Sequence, residues 1–327
     1  MTATVLVTGG AGFIGRAVTK ALDDAGFSVR VGVRGNGSSG TGSTVLCDLD
    51  KPEQIAGAVR NTSTVVHCAY GDEAAMPRQC AALLAAMTSA GVNRLVYFSS
   101  IAVYGDALKP KVDDPIDASG LAGTYASAKA ECEQLVREWV EGDADRHAII
   151  LRPGIVYGAG SPFWIEKLSR RIEAGVWGDF GPLADGLAPL VHVDDVAVAA
   201  TAATRRLAET AEPLQAVDLI GPEMPTWNEY SRRVAASMGA APLRCVGPAR
   251  LGWWRLCAFP AKVFRRLGLP GFERAALAPT GGELQIMSRR AVYDRERAKA
   301  VLGSAPSIGL DEGLSRSFED QETRPLP

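Results

Sequence analysis

The sequence predicts an α/β protein: a doubly wound parallel sheet followed by a smaller, mainly helical C-terminal lobe. Three observations carry that prediction. Up to about residue 152, short β-branched runs alternate with helical patterns, and parallel strands need crossover helices between them. The first run passes directly into a glycine-rich turn, Thr8-Gly9-Gly10-Ala11-Gly12-Phe13-Ile14-Gly15. After Pro153 the alternation breaks, and the remainder is richer in Pro and Trp.

Taken in order, Val5-Leu6-Val7 is the first strand and Phe13 to Ala25 the first helix. Val29-Arg30-Val31, Thr44-Val45-Leu46 and Val65-Val66-His67 follow as strands. Ala74 to Ala90 is helical, Leu95-Val96-Tyr97-Phe98 is a strand, Tyr125 to Trp139 is a helix, and Ala148-Ile149-Ile150-Leu151 is a strand. Beyond Pro153 the elements are helices with short strands, at 163–174, 194–207, 216–220, 226–239, 249–267 and 294–302. The sheet domain is therefore expected over 1–152. The second lobe, over 153–327, is expected above the sheet's carboxyl edge, with some of its segments returning to the sheet. A split suits this length, because single cores seldom grow past about 250–300 residues. Gly35 to Ser43 is expected to be a flexible loop, and the residues after Glu319 a frayed tail.

Composition removes several classes. With 47% hydrophobic and 22% charged residues the chain is globular. The 35 Lys and Arg against 37 Asp and Glu give a net charge of −2, without the basic footprint that supplies most nucleic-acid affinity. The six cysteines, Cys47, Cys68, Cys80, Cys132, Cys245 and Cys257, form no CxxC pair. They fit buried thiols in a reducing compartment, so a cytoplasmic location is expected. Neither a secretory signal nor an 18-residue uncharged apolar run is visible. His67, His147 and His192 lack metal-ligand spacing and read as structural, and Asp194-Asp195 reads as the cap of the 194–207 helix; no metal is expected.

The glycine turn lies after a clean strand and before an apolar-periodic helix. Glycine is needed where such a turn is tight and where backbone must approach a pyrophosphate, whose charge then sits on the helix N-terminus. A Rossmann-type dinucleotide site is the expectation. At the end of the second strand, where an Asp or Glu would hold the 2′-hydroxyl of NAD, stand Val33 and Arg34. A guanidinium there can pair with a 2′-phosphate, which favours NADP(H) over NAD(H). Asp48-Leu49 has two readings, an adenine contact or a cap for a helix at 52–59.

After the fifth strand comes Ser99-Ser100-Ile101-Ala102-Val103-Tyr104-Gly105, and 25 residues beyond Ser100 comes Tyr125-Ala126-Ser127-Ala128-Lys129. A Tyr and a Lys four apart on a helix share one face, so the ammonium is expected to lower the phenol's pKa toward the operating pH. A serine at a strand end can hydrogen-bond the same carbonyl or alcohol oxygen.

In this order the motifs resemble the extended short-chain dehydrogenase/reductase family, the NAD(P)-dependent epimerase/dehydratase group. The resemblance covers nearly the whole chain: TGGAGFIG at 8–15, VVHCA at 65–69, YFSSIAVYG at 97–105 and YASAK at 125–129, then LRPGIVYG at 151–158, LVHVDDVAVA at 190–199, VYDRERAKAVLG at 292–303 and GLDEGL at 309–314. It implies that Ser100 and Tyr125 contact the reacting oxygen while Lys129 holds the nicotinamide ribose and tunes Tyr125. Gly9, Gly12 and Gly15 would cradle the pyrophosphate. Phe13, Ile14, Cys68 and Ala69 would complete the cofactor set, and Pro153, Ile155 and Val156 would border the nicotinamide. A homodimer through the helices at 74–90 and 124–141 is implied too.

Departures from the family narrow the substrate. Its 4,6-dehydratases carry an Asp-Glu pair directly after the catalytic hydroxyl residue, where this chain has Ile101-Ala102, and neither can move a proton. Its sugar-nucleotide epimerases place arginines where this chain has Ala188 and Thr280; Arg170, Arg171, Arg232 or Arg289 would have to substitute to hold a diphosphate. The stretch 250–267, RLGWWRLCAFPAKVFRRL, has three readings: packing of the small lobe, a lid over an apolar pocket, and peripheral membrane contact. Tyr104, Tyr157, Trp177 and Phe180 are candidates to line a substrate pocket. The leading expectation is an NADP(H)-dependent oxidoreductase interconverting a secondary alcohol and a ketone. A nucleotide-sugar epimerase with tightly held NAD(P) and a non-catalytic dinucleotide sensor are the alternatives.

Overall fold

The computed structural model describes residues 3–35, 42–114, 116, 124–254, 256 and 273–322. Most of the expected loop at 35–43, most of the stretch 250–267 and the tail beyond 322 lie outside the described residues. The strands are β1 (Thr4–Thr8), β2 (Ser28–Val33), β3 (Ser43–Leu46), β4 (Thr64–His67), β5 (Arg94–Phe98), β6 (His147–Pro153), β7 (Ile155–Tyr157), β8 (Leu190–His192) and β9 (Leu214–Leu219). The longer helices begin with α1 (Phe13–Asp24), α2 (Pro52–Val59), α3 (Met76–Ala90), α4 (Tyr125–Glu141), α5 (Lys167–Glu173), α6 (Val193–Arg206) and α7 (Trp227–Ser237).

The chain forms two compact units, one of 1–154, 193–221 and 293–307, the other of 155–192, 222–292 and 308–327. In the first, seven parallel strands lie in the order β3-β2-β1-β4-β5-β6-β9. Val5, Leu6, Val7, Val65, Val66, Val96, Ile149, Ile150 and Leu151 are fully buried. Helices cover both faces of this sheet, which is why its strands read as unbroken apolar runs instead of alternating ones. On one face Leu83 and Met87 of α3 and Cys132 and Val136 of α4 pack on Leu6, Val65, Leu95 and Ile150; α1 and α6 pack together on the other. The order reverses between β1 and β4, and such a switch point opens a crevice at the carboxyl ends of the strands.

The segment read as a strand at 216–220 is β9, which pairs with β6 from Ala148↔Leu214 to Pro153↔Leu219. Both carboxylate oxygens of Asp195, in the first turn of α6, accept from the Ser307 backbone N–H, at 3.1 Å.

The second unit has a small parallel pair, β7 with β8, and an aromatic core of Tyr157, Trp177, Phe180, Trp227 and Tyr230 with Ile165, Leu168 and Leu284. At the start of the 250–267 stretch, Trp253 and Leu256 are exposed. Among the described residues, no helix is long and apolar enough to cross a membrane.

Candidate active site

The turn after β1 is built by its glycines for two different reasons. Gly9 has φ +67°, and a Cβ there would meet the Ala69 Cα at 2.6 Å. At Gly15 a Cβ would lie 2.1 Å from the Gly9 carbonyl oxygen, so α1 can pack against the turn only without one. Gly12 differs. It is exposed, and a Cβ there would come no nearer than 3.2 Å to the Gly9 oxygen. The protein's own packing demands a glycine less at 12 than at 9 or 15. As the N-cap of α1, Gly12 offers no side-chain cap, and no acid stands in the helix's first turn. A bare, positively polarised helix end at an exposed glycine fits a dinucleotide pyrophosphate. Phe13 and Ile14 open that helix and are half-buried. Cys68 and Ala69 follow β4 on the other side of the switch point and are also half-buried, with the Cys68 N–H donating to the Thr8 carbonyl at 3.1 Å.

At the end of β2, Val33 is buried and Arg34 exposed. The acid nearest in effect is Asp50, held low by hydrogen bonds from Gln79 and Arg78, with the charges of Arg78 and Arg34 adding. Asp48 does not cap α2. The N-cap is Lys51, without a side-chain cap, and Asp48 instead accepts from the Asp50 N–H at 3.2 Å, closing its own turn. Leu49 is buried in the core cluster under the sheet, facing protein.

Ser100 caps the short turn Ile101–Tyr104, its Oγ accepting from the Ala102 N–H at 3.2 Å. Thr124 caps α4 through the Ser127 N–H at 3.3 Å, which makes Tyr125 the helix's first residue. The Ser100 hydroxyl acts to lower the pKa of the Tyr125 phenol. Burial, with smaller contributions from Tyr70 and Glu73, prevails and pushes the phenol up to about 12. One turn on, Lys129 is buried and donates to the Phe98 carbonyl at 2.6 Å. Its ammonium lies 5.1 Å from the Tyr97 ring centre and 6.0 Å from that of Tyr125. Burial lowers its pKa. The phenol's net shift is therefore upward, against the lowering expected from Lys129. Ser100 is the group that pulls Tyr125 down, and one N–H of the ammonium is taken by a backbone carbonyl.

Sequence reasoning missed one neighbour. Tyr70 is exposed and packs edge-on against Tyr125, ring centres 5.6 Å apart. His67 is buried, hydrogen-bonded through Nδ1 to Thr8 Oγ1 at 2.7 Å and stacked on Tyr97. Burial, with the Lys129 charge, holds His67 at about 3, so it is neutral at pH 7. Among the described residues no group of three His, Cys, Asp or Glu side chains could hold a metal ion.

The expected pocket residues have other partners. The Tyr104 hydroxyl donates to Asp218 at 2.8 Å and accepts from Arg152 at 2.8 Å. In the second unit Tyr157 lies edge-on to His192 and Tyr230, its hydroxyl donating to the Gly309 carbonyl at 3.4 Å. Trp177 donates to Ser231 at 3.0 Å and meets Phe180 edge-on. Tyr157, Trp177 and Phe180 are thus core side chains of that unit. Aromatic content alone does not distinguish a pocket wall from a core. Pro153 is buried at the end of β6, and Ile155 and Val156 are half-buried in β7.

A model of the NAD dependent epimerase/dehydratase family matches residues 5–215, and the chain belongs to that family. Over 338 residues it is 25% identical to the 2-alkyl-3-oxoalkanoate reductase of Stenotrophomonas maltophilia (strain K279a), covering 95% of this chain and 97% of that one. To the UDP-glucose 4-epimerase of Vibrio cholerae it is 27% identical over 216 residues, 60% of this chain and 65% of the relative. A solved structure, MoeE5 in complex with UDP-glucose and NAD, is similar with a TM-score of 0.71 at 25% identity, covering 98% of this chain and 99% of that one.

Proposed function

We propose that the protein is an NADP(H)-dependent reductase interconverting a ketone and a secondary alcohol on a small, partly apolar molecule, with NAD(H) as the alternative cofactor. The observation that carries this reading is that Ser100, capping the turn after β5, acts on the phenol of Tyr125, the first residue of α4, with the buried Lys129 ammonium 6.0 Å from the Tyr125 ring centre. When bound, the nicotinamide supplies or accepts the hydride. The chain's own residues position and protonate. Ser100 and Tyr125 donate to one carbonyl oxygen, and Tyr125 gives it a proton as negative charge develops there. A phenol at about 12 keeps that proton at neutral pH, the state suited to reduction. Lys129, bonded through one N–H to the Phe98 carbonyl, would donate to a ribose hydroxyl with another.

The reductase relative spans 95% of this chain, which supports the reading. The places where a diphosphate clamp would stand argue in the same direction. Ala188 is buried, and Thr280 is committed to a capping box with Glu283. Arg171 is held by both Glu283 oxygens at 3.0 Å. The reading includes a cytoplasmic location and a homodimer through α3 and α4.

Calorimetric titration with NADP(H) and NAD(H), with Arg34→Ala as control, tests the cofactor. Tighter NADP(H) binding that is lost in the variant is expected; preference for NAD(H) in both proteins would overturn it. Stoichiometric consumption of NADPH separates a reductase from an epimerase, which returns its hydride and consumes none.

A further inference from the structure

Four side chains of the first unit, three buried and one, Tyr104, half-buried, form a network outside the proposed chemistry. Arg152, at the end of β6, is fully buried. Its Nε and Nη2 donate to the two carboxylate oxygens of Glu133 at 2.9 and 2.6 Å. Its Nη1 donates to the Tyr104 hydroxyl at 2.8 Å and to the Val112 carbonyl at 3.0 Å. Tyr104 in turn donates to Oδ1 of Asp218, on β9 and fully buried. The other oxygen of that carboxyl, Oδ2, is buried without a hydrogen-bond partner among the described residues.

The placement of these residues in the chain gives the network its role. Tyr104 is the last residue of the turn that Ser100 caps. Glu133 stands on α4 one turn past Lys129 and two past Tyr125, on the same face. The two elements that carry the hydroxyl pair are therefore both tied to one guanidinium. We propose that Arg152 and Tyr104 act as positioning residues that hold the Ser100 turn against the Tyr125 helix, and that ionised Asp218 is the end of this clamp that tightens it. The proposal rests on the reading that Ser100 and Tyr125 act together.

The charge balance supports a proton-dependent end. Asp218 is faced by Tyr104 from the serine turn and Arg152 from β6. Glu133 faces it from α4, with Arg137 3.7 Å from Glu133, and Asp294 from the segment before the helix Glu296–Leu302. The Tyr293 ring lies 6.1 Å from that of Tyr104. One buried guanidinium thus answers two buried carboxylates, with a third acid nearby. Burial, with Asp294 and Glu133 adding, pushes Asp218 up to about 7 against the pull of Tyr104 and Arg152. When it is protonated, the bond from Tyr104 loses its charge assistance, which accounts for about half its strength.

The test is hydrogen exchange, read by mass spectrometry over residues 99–105, in the wild type, Tyr104→Phe and Asp218→Asn. It runs from about pH 5.5 to 8.5, with rates corrected for the intrinsic pH dependence of exchange. Tyr104→Phe keeps the ring that packs under Arg152 and removes only the linking hydroxyl. Measured against β1 and β4, which report global opening, the wild type is expected to gain about tenfold in protection over 99–105 as pH rises through Asp218's ionisation, and both variants to be flat. Three matching profiles would overturn the clamp. In parallel, NADPH oxidation with cyclohexanone should show kcat of Tyr104→Phe down about tenfold at unchanged KM. If the wild type does not reduce this ketone or others, the reductase reading fails, while the exchange profiles still decide the clamp.

Discussion

Asp218→Asn should change how stability depends on pH, and the size of the change follows from the site. The carboxyl is raised from an ordinary 3.8 to about 7, first by burial and then by Asp294 and Glu133. A raised acid binds its proton more tightly in the folded chain than in the unfolded one. Its contribution to stability is therefore complete below 3.8 and is lost as pH climbs to about 7. At about 1.36 kcal/mol for each pH unit, the loss approaches about 4 kcal/mol across that window. The amide has no proton to release. Urea unfolding of the wild type and variant between about pH 4.5 and 8 should thus show the variant gaining about 3 kcal/mol on the wild type as pH rises. Parallel curves would mean that Asp218 ionises at its ordinary pH, and would refute the charge balance assigned to the network.

Three other substitutions test separate parts of the structure. Burial acts to raise the Glu283 carboxyl, but hydrogen bonds from Arg171, Lys167 and Thr280 outweigh it and hold it at about 2, against an ordinary 4.5. Its contribution to stability is present above 4.5 and lost as pH falls toward 2. Glu283→Gln leaves the buried Arg171 guanidinium without its carboxylate and should cost about 2 kcal/mol in urea unfolding at pH 7. Gly15→Ala should lower the melting temperature sharply, because its Cβ meets the Gly9 oxygen. Gly12→Ala should melt near the wild type yet bind cofactor at least about tenfold more weakly, a separation read by calorimetry and titration together.

Local pattern carried most of the sheet. The runs around Val5, Val65 and Ile149 are unbroken and β-branched because both faces of their strands are buried, and the glycine turn lies where the first of them ends. Ser100, Tyr125 and Lys129 were legible because strand-end and i, i+4 spacings are local. The clamp was not: Tyr104 reaches Arg152 across 48 residues and Asp218 across 114, distances no periodicity encodes. A signal did exist in the charged residue that interrupts each of two core strands, Arg152 in AIILRP and Asp218 in QAVDLI. A buried charge in such a run requires a partner. The upward shift of the Tyr125 phenol was not legible, because spacing shows that Lys129 shares its face but not how deeply the phenol is buried.

The most direct test of the account is Tyr125→Phe, assayed for NADPH-dependent ketone reduction and titrated with NADPH. Loss of turnover by about 10²–10⁴-fold with cofactor affinity nearly unchanged is the predicted result. Turnover equal to the wild type would contradict the assignment of Tyr125 as the proton donor.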